Sequence, residues 1–217
     1  MVKRLRTGVL ASGRGSNFAA ILERSREGSI DVDVVVVISD VEDAAALDRA
    51  RQAGVEALHI PPGEFRTRLT PEAESEYCRA LDERDVDVVV LAGFMRILHD
   101  SFLRRYRGRI INIHPSLLPS FPGLHAQRQA YEYGVKWSGC TVHFVDAGVD
   151  TGPIILQKAV PVLPDDTADS LASRILEQEH QAYPEALQLI AEDRLSIEGR
   201  RVVVAPPTDG GASRSTR

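Results

Sequence analysis

Residues 32–38 read Val-Asp-Val-Val-Val-Val-Ile, a nearly continuous β-branched run. A strand wetted on one face alternates apolar and polar side chains. A run like this one suits a strand covered on both faces, as in a parallel sheet packed between helices. The rest of the first half agrees. Val9-Leu10-Ala11 closes an apolar run that meets Gly13-Arg14-Gly15, with Ser16 placed to cap a helix that begins at Asn17. Asp40 is placed to cap the next helix and Gly54 to end it. A third strand is expected over 55–60. Thr70-Pro71 reads as N-cap and first helical residue. Further strands are expected over 86–92 and 109–114. Strand and helix alternating in this way predict an α/β fold, a mostly parallel sheet with right-handed crossovers and helices on both faces.

The second half differs. Residues 115–123 form a proline-rich loop and 125–134 a short helix. Strands over 140–145 and 153–162, joined by the turn 146–152, predict an antiparallel hairpin at one edge of the sheet. A long helix follows over about 168–191, with Pro184 inside it, where a kink is expected. Residues 206–217 are polar and glycine-rich, so the expected organisation is one domain over 1–205 and a disordered tail over 206–217.

At 217 residues, 43% hydrophobic and 26% charged, the chain has enough apolar material for one such domain. Its net charge is −5, from 26 basic and 31 acidic residues, and no basic run stands out. Composition therefore makes no case for a nucleic-acid or membrane-surface partner. Cys78 and Cys140 stand far apart, without CxxC or zinc-type spacing, which fits a reducing compartment. The N-terminus lacks a signal-peptide core, and no stretch reaches the ~18 apolar residues of a membrane span. The expected location is the cytoplasm.

Four features can carry chemistry. The loop Ser12-Gly13-Arg14-Gly15-Ser16-Asn17 lies between the first strand and the first helix. A helix N-terminus with glycines around it suits a phosphate. Phe18 stands where a dinucleotide fingerprint would have its third glycine, and no P-loop lysine is present, so a tight turn without ligand is an equal reading. Asn112 and His114 share one side of the fifth strand at its carboxyl end, where open α/β sheets bind ligands. An asparagine and a histidine there suit an oxyanion in acyl transfer, although a hydrogen-bonded strand end would look the same. Asp150 lies in the hairpin turn, where aspartate is common for local reasons. Glu179 falls in the middle of the apolar stripe Leu171, Ile175, Ala182, Tyr183 and Ala186, and a carboxylate there needs a partner, either a substrate or an internal arginine. No GxSxG elbow or paired cysteine nucleophile is found. His59, His99, His125, His143 and His180 show no metal-ligand spacing, and His143, on a strand, reads as structural. Direct transfer between two bound substrates, without a metal, is the expectation.

Taken together, LASGRGSNF at 10–18, LAGFMRIL at 91–98, INIHPSLLPSFPGLHA at 111–126, GCTVHFVDAGVDTGPIILQ at 139–157 and QEHQAYP at 178–184 resemble the glycinamide ribonucleotide formyltransferase family of purine biosynthesis. The resemblance extends to about residue 200. It implies a mononucleotide-binding, Rossmann-like sheet. It also implies transfer of a formyl group from 10-formyltetrahydrofolate, as co-substrate, to the amine of glycinamide ribonucleotide, by a monomer or homodimer. By position it implies that Asn112, His114 and Asp150 are catalytic. Gly15, Ser16, Asn17 and Glu179 would hold the ribonucleotide. Met95, Arg96, Ile97 and Leu98 would line the folate pocket together with Asn112. Arg68 matches a folate-contacting arginine once a gap is set within 65–73, with Arg66 as the other alignment. Methionyl-tRNA formyltransferase and formyltetrahydrofolate hydrolase share the Asn-x-His and Asp signals. The first is expected to carry a further C-terminal domain and an Arg-Gly where Pro122-Gly123 stands here, and the second an N-terminal regulatory domain. A non-catalytic nucleotide-binding module would not need the Asn112, His114 and Asp150 set.

Overall fold

The computed structural model describes residues 4–207. From residue 208 on, the expected tail lies outside the described residues. The first half alternates as the β-branched run predicts: β1 (Leu5–Leu10), α1 (Ser16–Arg26), β2 (Val32–Ser39), α2 (Ala45–Gln52), β3 (Glu56–His59), α3 (Pro71–Asp82), β4 (Val88–Leu91), α4 (Asp100–Arg105) and β5 (Ile110–His114). Then come α5 (Ala126–Tyr133), β6 (Trp137–Phe144), β7 (Ile154–Pro161), α6 (Ala168–Ala191), β8 (Leu195–Glu198) and β9 (Arg201–Val204). The strands form one sheet in the order β3-β2-β1-β4-β5-β6-β7-β9-β8. β1 to β5 pair in parallel. β6 runs antiparallel to β5 and to β7.

Each face of the sheet carries its own core. Phe18 and Ile21 of α1, Leu47 of α2 and Leu171, Ile175 and Tyr183 of α6 cover one face. Tyr77 and Leu81 of α3 and Phe102 of α4 cover the other. β2 shows why its sequence does not alternate. Its register with β1 passes from Thr7↔Val34 to Gly8↔Val36 and skips Val35. Val32, Val34 and Val37 therefore enter the first core, and Val36 and Ile38 the second. A skipped residue reverses the side-chain alternation, so a near-continuous apolar run is needed to fill both layers.

The β6–β7 hairpin forms over the expected residues but not at the edge of the sheet, because β9 pairs with β7 and β8 takes the edge. Outside it lies a second antiparallel pair, β8–β9, absent from the sequence reading and joined to β7 through Ile154↔Arg201. α4 was likewise not foreseen. Two expected caps are corrected. Gly15, not Ser16, holds the N-cap of α1, in the left-handed region at φ 69°. A Cβ at this glycine would lie 2.8 Å from Ala46, and Ser16 is already helical. Asp40 does not cap α2, which starts at Ala45 without a side-chain cap; Asp40 is instead buried in an ion pair with Arg96. Thr70 does cap α3, accepting from Ala73 N at 3.2 Å. α6 runs unbroken through Pro184. Among the described residues no helix is long and apolar enough to cross a membrane.

Strand order reverses between β1 and β4: β1 leads to β2 on one side, while β4 lies on the other. That switch point opens a crevice at the carboxyl ends of the parallel strands, and the candidate residues gather there.

Candidate functional site

β5 ends with Asn112 and His114, and the antiparallel register sets His143 of β6 directly opposite Asn112. Cross-strand partners share a face, so a second histidine joins the pair. Asp150 reaches them from the β6–β7 turn, where it adopts φ 53°. Its Oδ2 lies 3.2 Å from His114 Nδ1 and accepts from Gly123 N at 2.8 Å. Its Oδ1 lies 3.4 Å from Asn112 Nδ2 and 3.7 Å from His143 Nε2. Burial alone would raise the Asp150 pKa. The nearby His143 ring, the Gly123 N–H and the charge of His114 outweigh it and hold the carboxyl below its ordinary range.

The partners also constrain the protons. His114 Nε2 lies 2.8 Å from the carbonyl oxygen of Phe121. Both its ring nitrogens thus face acceptors, and Nε2, set against a carbonyl oxygen, is a donor. His143 Nδ1 faces the Phe144 carbonyl at 2.9 Å, so that nitrogen donates. Its Nε2, 3.4 Å from Asn112 Nδ2, is left to accept from the amide or to donate to Asp150. His114 and His143 are both buried. Sequence reasoning took His143 for a structural residue. Its only signal is its register against Asn112, which a single strand does not display.

A second group surrounds the glycine loop. Gly13 O accepts from Ala46 N at 3.0 Å, tying the loop to the start of α2. The left-handed Gly15 turns the chain into α1, whose first-turn N–H groups have no carbonyl within the helix to bond. Asn17 is buried on that turn, and its Nδ2 donates to Glu179 Oε2 at 2.7 Å. The partner of the stripe carboxylate is therefore an amide, not an internal arginine. Burial pushes the Glu179 pKa up against the pull of that amide. One turn further along α6, the Tyr183 hydroxyl meets the carbonyls of Leu91 and Ile111 at 2.9 and 3.0 Å. The helix is thereby fixed across the ends of β4 and β5.

A third group follows β4. Met95 and Ile97 are 61% and 59% exposed, while Leu98 is buried. Arg96, between the two exposed residues, turns inward to Asp40. Ile97 N donates to Thr67 O at 2.8 Å, and Arg68 forms an isolated parallel bridge with Ile97. The Arg68 guanidinium stacks on Phe65, 4.3 Å from the ring centroid. Arg66 offers its carbonyl to Arg96. Ser12 joins this segment to the glycine loop: its N–H donates to Gly93 O at 3.1 Å, and its Oγ accepts from Met95 N at 2.9 Å. Residues distant in sequence thus converge on the ends of β1, β4 and β5. Among the described residues no three or more His, Cys, Asp or Glu side chains form a group able to hold a metal ion.

Comparison with known proteins agrees with this fold. A family profile described as formyl transferase matches residues 5–187. The phosphoribosylglycinamide formyltransferase of Escherichia coli (strain K12) is 45% identical over 190 residues, 87% of this chain and 88% of that protein. The trifunctional purine biosynthetic protein adenosine-3 of Drosophila melanogaster is 52% identical over 87% of this chain, which spans only 14% of that longer relative. The crystal structure of glycinamide ribonucleotide transformylase 1 from Symbiobacterium toebii superposes with a TM-score of 0.90 at 55% identity, covering 95% of this chain and 96% of the other. With the profile spanning nearly all of the α/β core, this chain belongs to the formyl transferase family.

Proposed function

We propose that the chain transfers the formyl group of 10-formyltetrahydrofolate to the amine of glycinamide ribonucleotide, giving formylglycinamide ribonucleotide and tetrahydrofolate. The observation that carries this reading is the cluster of Asn112, His114 and Asp150 at the switch point. The amine attacks the formyl carbon, a C–N bond forms, and the carbonyl electrons move onto oxygen. Asn112 Nδ2, held only by 3.4 Å contacts, is free to turn to that oxyanion. His114 already has each ring nitrogen on an acceptor. Its Nε2–H exchanges the neutral Phe121 carbonyl for the charged oxygen, a stronger acceptor. Each such donor supplies roughly 2.7–4 kcal/mol to the transition state. Asp150 orients His114 through Nδ1 and offers an acceptor for the proton that the attacking amine loses. The C–N bond to the folate then breaks, and the folate nitrogen takes up a proton.

Gly15, Ser16, Asn17 and Glu179 hold the ribonucleotide, its phosphate on the first turn of α1. Met95, Arg96, Ile97 and Leu98, with Asn112 and Arg68, form the folate side. Two unpaired thiols, Cys78 and Cys140, fit a cytoplasmic setting. The test is to mix the protein with glycinamide ribonucleotide and 10-formyltetrahydrofolate and follow loss of the formyl donor. Formyl loss that needs the ribonucleotide and yields the formylated amine supports the reading. Release of formate to water at the same rate without the ribonucleotide overturns it.

A further inference from the structure

Asp40 follows directly on β2, and its side chain is 1% exposed. Its Oδ2 accepts from Arg96 Nε at 2.6 Å, while its Oδ1 is buried without a partner. Arg96 also donates from Nη1 to the backbone carbonyls of Phe65, at 3.3 Å, and Arg66. A single ion pair offsets the desolvation of a carboxylate this deep poorly, so such pairs are weak devices for stability. They are better devices for geometry, because the guanidinium is planar and its donors keep fixed directions. Here one guanidinium ties three segments together: the end of β2, the loop at 61–70, and the segment after β4. The third of these carries Met95 and Ile97 outward on either side of Arg96, and it pairs with the second through Ile97 N and Thr67 O.

We propose that Asp40 is a positioning residue for the folate pocket, acting through Arg96 to set how Met95, Ile97 and Arg68 are presented. The proposal rests on the reading that residues 95–98 line that pocket. Asp40→Ala leaves Arg96 without its buried anchor. Losing a hydrogen bond between charged groups should raise the Kd for 10-formyltetrahydrofolate roughly tenfold, with ribonucleotide Kd and saturated kcat changed by less than about twofold. Asp40→Asn keeps an acceptor for Nε–H and should retain most of the affinity. Asp40→Ala combined with Arg96→Ala should weaken folate no more than Arg96→Ala alone.

Ile97→Asp separates the two ideas. If it weakens folate binding while Asp40→Ala does not, the positioning role is overturned and the pocket reading stands. If neither variant affects folate binding, the pocket reading falls and the proposal falls with it. Equal losses of both affinities and of kcat in Asp40→Ala would show a merely structural residue and overturn the proposal. Should Asp40→Ala fail to fold, Arg96→Lys is the second variant. It should weaken folate and speed amide hydrogen exchange at Ile97 while Val90 in the core is unchanged; unaltered exchange at Ile97 overturns the proposal.

Discussion

Glu179 is buried and Asp150 partly so, and their surroundings push the two carboxylates in opposite directions. Glu179 meets an uncharged amide, and burial wins, so its pKa rises. Asn17 Oδ1 is itself buried without a partner and stands ready to accept from a protonated Glu179. A raised pKa means that the folded chain holds the proton more tightly than the unfolded one. This site's contribution to stability is therefore fully present below the unfolded value of ~4.3 and is lost as pH rises through the folded value. Glu179→Gln supplies a permanent donor. It should raise stability by about 1 kcal/mol near neutral pH, or roughly 2–4 °C in Tm, and the gain should vanish on acidification below pH ~4. The same change should weaken ribonucleotide affinity, because the proposed contact loses its charge. Melting curves across pH and titration calorimetry check both outcomes. Asp150 has the reverse sign. Its pKa is lowered, so its contribution is present above the ordinary carboxylate range and is lost as pH falls through the folded value. Asp150→Asn should destabilise near neutral pH and converge with the parent protein in acid. It should also cut kcat by roughly 10²–10⁴, with substrate affinities changed less. Adding His114→Ala should cost less than the sum of the two losses, since the pair works as a unit; steady-state kinetics on the single and double variants decide this. Full additivity would show that the two residues act separately.

At the scale of elements, the legible parts are those with a long apolar pattern or a strong local signal. α6 was legible from its stripe, α3 from Thr70-Pro71, and β2 from its valine run. The caps at Ser16 and Asp40 were misread for different reasons. The first depends on which of two adjacent residues takes the left-handed turn against Ala46. The second depends on Arg96, which lies 56 residues away in the chain. β8 and β9 are four residues each, set among charged neighbours, and Gly199 turns between them at φ 63°. A short strand offers too few alternations for periodicity to register, although Val202-Val203-Val204 beside that glycine was a usable hairpin signal. The pair does more than decorate the edge, because Leu195 and Val202 pack on the first core. A chain ending at Glu192 should lose about 2 kcal/mol from these two half-buried side chains, or roughly 4–8 °C in Tm. A chain ending at Pro206 keeps both strands and drops only a polar, glycine-rich sequence with little apolar surface, so its Tm and activity should match the full chain. Calorimetry on the two truncations checks the contrast, and a large fall for the longer one would show that the tail contributes to the fold.

At the scale of the whole molecule, the parallel half of the sheet was readable because its rule is local: each strand is followed by a helix and buried on both faces. The meeting of distant segments was not readable from patterns alone. Ser12 bonded to Met95, Asn17 to Glu179, and His143 set against Asn112 are consequences of strand order. This arrangement also bears on the kinetic route. A chain that carried the formyl group on itself would need an activated nucleophile at the switch point. Cys78 and Cys140 do not supply one: burial pushes their thiols up to about 11 and about 12, so neither is a thiolate near neutral pH. His114 donates from Nε2 to the Phe121 carbonyl, and its Nδ1 faces the Asp150 carboxylate rather than the open site. The glycine loop and the Met95–Leu98 segment are bonded to each other through Ser12, which sets the two proposed substrate pockets side by side. Holding both reactants together replaces a covalent relay, since well-oriented neighbours react at effective concentrations of roughly 10⁵ M or more. The reaction should therefore pass through a ternary complex. Initial rates measured against one substrate at several fixed levels of the other should give intersecting double-reciprocal lines. Incubation with a formyl-labelled folate alone should leave no label on the denatured protein. Parallel lines together with a labelled histidine or cysteine would establish a formyl-protein intermediate, and the geometry around His114 would then have to be read as that of a nucleophile.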